Sequence, residues 1–320
     1  MQSGPPTRRN GRSLGAELFK RLRESVEKAQ NSKSTQLELG IQRSQEDDRN
    51  FKRGGRSFYF FDFDDNIAIL STPTFIFHRQ TGEEKKLSTR EFGEHSGTIG
   101  KSGPYKDYEV RFDDENGSFR NFRDRDLSLI ERLAGKRQPF IEDLMHALGL
   151  PDYNWKGPSW NCFYHAVFNR RPLSLITARG HKPKTMKDGM RLLVSEGHIP
   201  HEPNYLGLYP VNCPETRTLL GKSFDAPVAE MKQTAIRASV ERAFEQYGYN
   251  EHHRFGMSDD DPKNIELIIE EMTRLKRNYP KNSFFVFDTH KGQFLRREVF
   301  DGRTEDKVVS AQFHQLSLFD

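Results

Sequence analysis

Four stretches carry side chains suited to chemistry at a phosphate ester: Asp62-Phe-Asp64-Asp65-Asn66, Thr177-Ala-Arg179-Gly180, Lys232, and Ser258-Asp259-Asp260-Asp261-Pro262. A carboxylate can accept a phosphoryl group covalently, provided something neutralises its charge as it approaches an anionic phosphate. Acidic side chains gathered from two places supply hard oxygen ligands for magnesium, which keeps several waters and uses few carboxylates plus the substrate phosphate. Asp62 is the candidate nucleophile. Asp64, two residues on, has the spacing of a group that gives a proton to the leaving oxygen and later takes one from water. The Thr177 hydroxyl can hydrogen-bond a phosphate oxygen, and Lys232 can neutralise developing charge. Taken singly, each residue has a plainer reading: an Asp after a strand caps a turn, Asp261 before Pro262 is an ordinary helix start, and a helical lysine is solvated. Their ordered conjunction carries the argument.

The elements that must position them follow from hydrophobic period. Ser57-Phe-Tyr-Phe-Phe-Asp62 is a short aromatic run that stops at carboxylates, as a buried strand ending at a functional rim does. Ile67 to Leu70 reads as a short continuation. Residues 75–78 and 86–89 flank Gln-Thr-Gly-Glu-Glu as one hairpin, and 108–112 with 119–122 read as a second. The period then turns helical through 139–150 and 160–170. Beyond it the chain alternates: strand 172–176, helix 182–196, strand 204–211, helix 228–247, strand 253–257, helix 262–277 and strand 283–288. Such alternation predicts an α/β fold with a Rossmann-like, mainly parallel sheet covered by helices on both faces, its working residues beyond the carboxyl ends of the strands.

The four stretches, in this order, resemble the four motifs of the haloacid dehalogenase superfamily of phosphatases. Asp62-Phe-Asp-Asp-Asn66 is similar to the first, Leu175-Ile-Thr-Ala-Arg-Gly180 to the second, Lys232 in Ala229-Glu-Met-Lys-Gln-Thr-Ala-Ile236 to the third, and Gly256-Met-Ser-Asp-Asp-Asp-Pro-Lys-Asn-Ile265 to the fourth. The resemblance spans about residues 56 to 290. It implies Asp62 as nucleophile and metal ligand, Asp64 as acid/base with its carbonyl on the metal, Asp259 as a further ligand assisted by Asp260, and Mg2+ as cofactor. Asn66 departs from the usual Thr or Val at its position. The resemblance also implies domains: a catalytic core of residues 56–70 and 161–300, and a β-rich cap of 71–160 inserted after the first strand.

Residues 1–55 are polar and rich in Arg, Gln, Ser and Glu, and read as a largely disordered tail. Within it Leu14, Leu18, Leu22 and Val26 form one stripe of a short amphipathic helix. Residues 301–320 read as a flexible tail ending Gln315-Leu316-Ser317-Leu318-Phe319-Asp320. That ending resembles the peptide with which bacterial replication and repair proteins dock on the DNA sliding clamp, Gln315, Leu316, Leu318 and Phe319 being the anchors. A plug over the chain's own core is the alternative.

Composition bounds the rest. The net charge of +4 comes from 50 basic and 46 acidic residues, a mixed surface that admits nucleic acid without indicating it. Two cysteines, Cys162 and Cys213, are too few for a disulfide framework. Without an apolar run of membrane length or a secretory leader, the expected location is cytoplasmic, with no membrane partner. The expected function is hydrolysis of a phosphorylated substrate, with nucleotides and DNA ends as candidate esters; the alternative is a non-catalytic adaptor on the same scaffold that docks on the clamp.

Overall fold

The computed structural model describes residues 44–308, except 114, 224 and 293. In order along the chain its strands are β1 (Ser57–Phe61), β2 (Thr74–His78), β3 (Glu84–Leu87), β4 (Tyr108–Glu109), β5 (Pro172–Thr177), β6 (Asn204–Pro210), β7 (Arg254–Asp259), β8 (Ser283–Asp288), β9 (Leu295–Phe300) and β10 (Arg303–Val308). Among the described residues, seven of these form one sheet in the order β10-β9-β8-β7-β1-β5-β6. The five from β8 to β6 run parallel, while β9 and β10 are antiparallel.

The all-apolar strands are explained by what covers them. β1 is buried throughout; Tyr59 and Phe61 enter one apolar cluster, Phe58 and Phe60 another on the opposite face. The first cluster is closed by helices Pro139–Leu148, Trp160–Phe168 and Pro183–Ser195, the second by Val228–Tyr247 and Pro262–Asn278. β8 alternates likewise, with Phe285 and Phe287 facing one side and Phe284 and Val286 the other. A strand with two dry faces has no polar side, so its sequence shows a continuous run instead of alternation.

From β1 the chain steps outward through β5 and β6, then crosses back to β7 on β1's other side. That reversal leaves a crevice at the carboxyl end of β1, the usual ligand position in open α/β sheets.

A separate antiparallel sheet, β3-β2-β4, has its own core of Ile76, Leu87, Ile99 and Tyr105. The first expected hairpin is β2 with β3, paired from Thr74↔Leu87 to Phe77↔Glu84. The second does not form: β4 pairs with β2, and Arg120–Phe122 is a 3-10 turn. The Arg111 amide donates to Ser118 Oγ and the Ser118 carbonyl accepts from the Phe75 amide, so the ladder that a hairpin would build is interrupted at its first step. Helix Pro139–Leu148, within the span read as an insertion, packs in the main core, with Phe140 edge-on to Phe63 at 5.4 Å.

Other boundaries are corrected. Residues 45–55 are not a tail: Asp48 is buried, paired with Arg171 at 3.0 Å, and accepts from the Ser57 amide. A polar segment docks here because its one buried charge meets a partner. Residues 303–308 form β10 behind the Asp301-Gly302 turn, where glycine takes φ +80°. Ile67 to Leu70 does not continue β1; the loop turns back on itself, with Asp65 at φ +54° and the Asp65 amide donating to Ala68. The Leu14–Val26 stripe and the Gln315–Phe319 peptide lie outside the described residues. No helix among the described residues is long and apolar enough to cross a membrane.

Candidate active site

Adjacent strand ends deliver the predicted residues to one place. Asp62 follows β1 directly, and its amide donates to the Ser258 carbonyl, extending the β1/β7 pairing by one step. Asp259 closes β7, Thr177 closes β5, and Lys232 is the fifth residue of helix Val228–Tyr247. The Lys232 ammonium donates to Asp62 Oδ1 at 2.9 Å and to Asp259 Oδ2 at 2.7 Å. All three side chains are nearly closed to solvent.

Burial alone would drive the proton from Lys232, but the charges of Asp259 and Asp62 and the hydrogen bonds to both hold its pKa above the ordinary lysine range. Burial likewise pushes the Asp62 carboxyl well up; Lys232 opposes that rise, and Asp259, Asp260 and Asp64 add to it. The charged ammonium opposes that rise directly, since its two short donated bonds are strongest to an anionic acceptor. Asp260 is raised to about 7, by burial and then by the charges of Asp259 and Asp65. One lysine does not neutralise this cluster.

Among the described residues, Asp62, Asp259 and Asp260 form the group whose carboxylate oxygens lie within 4.8 Å of one another. Hard oxygen donors at that separation fit a small divalent cation, which would also supply the missing positive charge. The second Asp259 oxygen is fixed by the Asp261 amide and the Asn264 side chain, both at 3.1 Å. Asp261 itself caps helix Pro262–Asn278, accepting from the Lys263 amide, which is its plain reading.

Asp64 turns elsewhere. Arg179 Nε lies 3.0 Å from both of its carboxylate oxygens, Arg179 Nη2 lies 2.6 Å from Oδ1, and Thr177 Oγ1 donates to Oδ2 at 3.2 Å. The side chains of Asp62, Asp259, Asp260 and Lys232 thus make one group, and those of Asp64 and Thr177 a second beside it. The two meet electrostatically, since Asp64 contributes to the rise at Asp62. Asp65, at the turn of the same loop, is raised by burial and restrained by a hydrogen bond from Thr89 of the small sheet's helix.

Sequence reasoning missed two residues. Arg179 stands in the second motif, but nothing in its spacing announces a partner at position 64. Asn66 stood out only as a departure. It is fully buried; its amide donates to the Asp62 and Ser258 carbonyls and to Ser258 Oγ, while its carbonyl accepts from Ser159 Oγ and Thr289 Oγ1. A Thr or Val could not make these five bonds. Gly157 permits the arrangement, because a Cβ there would collide with the Asn66 backbone carbonyl.

Within the span 71–160, Tyr105 belongs to the small sheet's own core, and Arg111 pairs with Glu109 while lying over Phe77. An open cleft of about 730 Å3 runs beside the rim, bounded by Arg120, Arg123, Asp124, Gly180, Lys182 and Asn212, and none of the clustered carboxylates lines it. No family model, curated protein or solved structure matches this chain.

Proposed function

We propose that this protein is a magnesium-dependent phosphomonoester hydrolase of the haloacid dehalogenase type, working through an aspartyl-phosphate. The observation that carries this reading is one ammonium, Lys232, bridging Asp62 and Asp259 beside Asp260, with Asp64 and Thr177 at the neighbouring strand end. A carboxylate merely capping a strand has no need of such company.

In this reading an Asp62 oxygen attacks phosphorus, and the P–O bond to the leaving group breaks as Asp64 donates a proton to the departing oxygen. Asp64 then takes a proton from water, which attacks the phosphorus of the acyl-phosphate; inorganic phosphate leaves and Asp62 is restored. Thr177 and Lys232 hold phosphate oxygens and offset the charge that develops on them. A divalent cation, held by Asp62, Asp259 and Asp260, would supply the neutralisation that lets two anions meet. The cleft beside the rim offers room for the rest of the ester, and its mixture of charges favours a polar leaving group.

Phosphate release from p-nitrophenyl phosphate with Mg2+, compared between the wild type and Asp62→Asn, tests the reading. Release that needs both the metal and Asp62 is expected; equal background from the two proteins would sink it and leave the adaptor alternative. A panel setting 3'- and 5'-phosphorylated oligonucleotides beside nucleotides and sugar phosphates then decides whether DNA ends or nucleotides are the esters.

A further inference from the structure

Among the described residues, Arg179 is the largest charged side chain that is fully buried. Its exposure is 0%, whereas the Asp64 side chain retains 19%. The guanidinium lies between two rings, 5.2 Å from the Phe122 centroid and 4.9 Å from that of Phe140. Each ring adds cation–π attraction to the buried charge. Within that plane Nε and Nη2 are spent on Asp64, and Nη2 also donates to Thr72 Oγ1 at 2.8 Å. Thr72 in turn donates to Asp143 Oδ2 at 2.6 Å, anchoring the chain of bonds on helix Pro139–Leu148.

This arrangement is costly to build. A guanidinium enclosed in the core and leaving one nitrogen, Nη1, without a partner loses hydration that its bonds only partly return. A fold that needed only a filled space there would do better with an aliphatic side chain. What the arrangement delivers is direction: a forked donor fixes both oxygens of a carboxylate, where a lysine would hold one point and allow rotation. Arg179 and Thr72 are sealed from solvent, whereas the two carboxylates at the ends of the chain of bonds, Asp64 and Asp143, both keep partial exposure.

We infer that Arg179, braced by Thr72 and Asp143 and clamped between Phe122 and Phe140, is a positioning residue that aims the Asp64 carboxyl at the leaving-group oxygen. It has no access to substrate and acts through Asp64. The inference rests on the phosphatase reading and goes further, because it divides the esters by leaving group. Proton delivery matters for an alkoxide, which departs poorly unprotonated, and little for a stabilised phenolate. Mis-aiming Asp64 therefore slows formation of the aspartyl-phosphate from the alkyl ester far more than from the aryl ester, while hydrolysis of that intermediate, where Asp64 takes the proton from water, slows alike for both.

The experiment compares the wild type, Arg179→Lys, Arg179→Gln and Thr72→Val on two monoesters, p-nitrophenyl phosphate and an alkyl phosphate such as glycerol 2-phosphate. General acid catalysis contributes about 10²- to 10⁴-fold, so Arg179→Gln should lose about 100-fold or more in kcat/KM on the alkyl ester and less than about tenfold on the aryl ester, because kcat/KM reports only the steps up to the aspartyl-phosphate. Arg179→Lys should recover part of the alkyl loss. Thr72→Val leaves the guanidinium in place, removes one brace, and should show a smaller loss with the same alkyl bias; it also guards against Arg179→Gln failing to fold. Equal losses of kcat/KM on both esters overturn the positioning role while the phosphatase reading stands. A wild type silent on both esters overturns both.

Discussion

Replacing Lys232 with methionine keeps the stem that packs in helix Val228–Tyr247 and removes only the ammonium. The two carboxylates it bridges, at 2.9 and 2.7 Å, have side-chain exposures of 7% and 0%, so water cannot substitute for the lost donor. Breaking a buried pair by deleting one partner costs about 3–5 kcal/mol. With two acceptors orphaned and Asp260 adding repulsion, the upper half of that range is expected in EDTA at pH 8. Urea unfolding followed by tryptophan fluorescence is a suitable assay, since Trp155 and Trp160 both sit in the main core. Added Mg2+ should return part of the loss, because a cation binding only the folded chain contributes RT ln(1 + [L]/Kd), about 2.7 kcal/mol at a hundred times Kd. The gain should be larger in the variant than in the wild type, where the ammonium already offsets some of the charge. Lowering the pH to 5 should narrow the gap between variant and wild type, as protonation relieves the same repulsion. A loss in EDTA below about 1 kcal/mol, or a Mg2+ response no greater than the wild type's, would refute the view that lysine and metal share the task of neutralising Asp62 and Asp259.

Asn66→Ala should destabilise by about 3 kcal/mol in the same assay, since it strands the Ser159 and Ser258 hydroxyls in a dry interior, while Thr289 keeps the Asp259 carbonyl; a change within error would mean that those groups find other partners. His181 is fully buried with neither ring nitrogen partnered, and burial, then the charges of Arg179 and Arg123, lower its pKa well below the ordinary value. Its folded form is neutral, so the unfolded chain binds the proton first as pH falls: the stability contribution is whole above about 6.5 and declines below it, by at most about 1.4 kcal/mol per pH unit. His181→Phe should therefore leave midpoint stability at pH 8 unchanged or raised and flatten the decline between pH 6.5 and 5; a slope equal to the wild type's would contradict this, while burial of His253 should preserve a residual slope in both proteins. Deleting residues 315–320 should abolish binding to a bacterial sliding clamp in surface plasmon resonance, and an unchanged response would remove the docking proposal.

Periodicity made the parallel sheet legible because its strands and helices differ in length and in apolar pattern. Helix Val228–Tyr247 and strand Ser283–Asp288 fall where their hydrophobic spacing put them. What escaped was decided by single long-range partners. Asp48 needed Arg171 for residues 45–55 to leave solvent, and a polar composition cannot announce that pairing. Ser118 Oγ took the Arg111 amide that a hairpin ladder would have used. The Asp301-Gly302 turn was readable as a hairpin signal, but the polar strand after it hid the signal. In the site, Asp62, Asp259, Asp260 and Lys232 could be grouped because strand ends in a parallel sheet share one rim. The clamp on Asp64 could not, since it depends on two rings and a threonine from three separate segments.

The bonds of Asn66 join positions 93, 192 and 223 residues apart in the chain. Such closures are slow and arrive only after most of the chain is already in place. Reactive geometry is thus withheld from a nascent or partly folded chain, which would hold the acidic residues without their alignment. By the same connection, fraying at the β8–β9–β10 border would be felt first at Thr289 and then at the nucleophile, so hydrogen exchange along that outer margin should forecast loss of competence before global melting does.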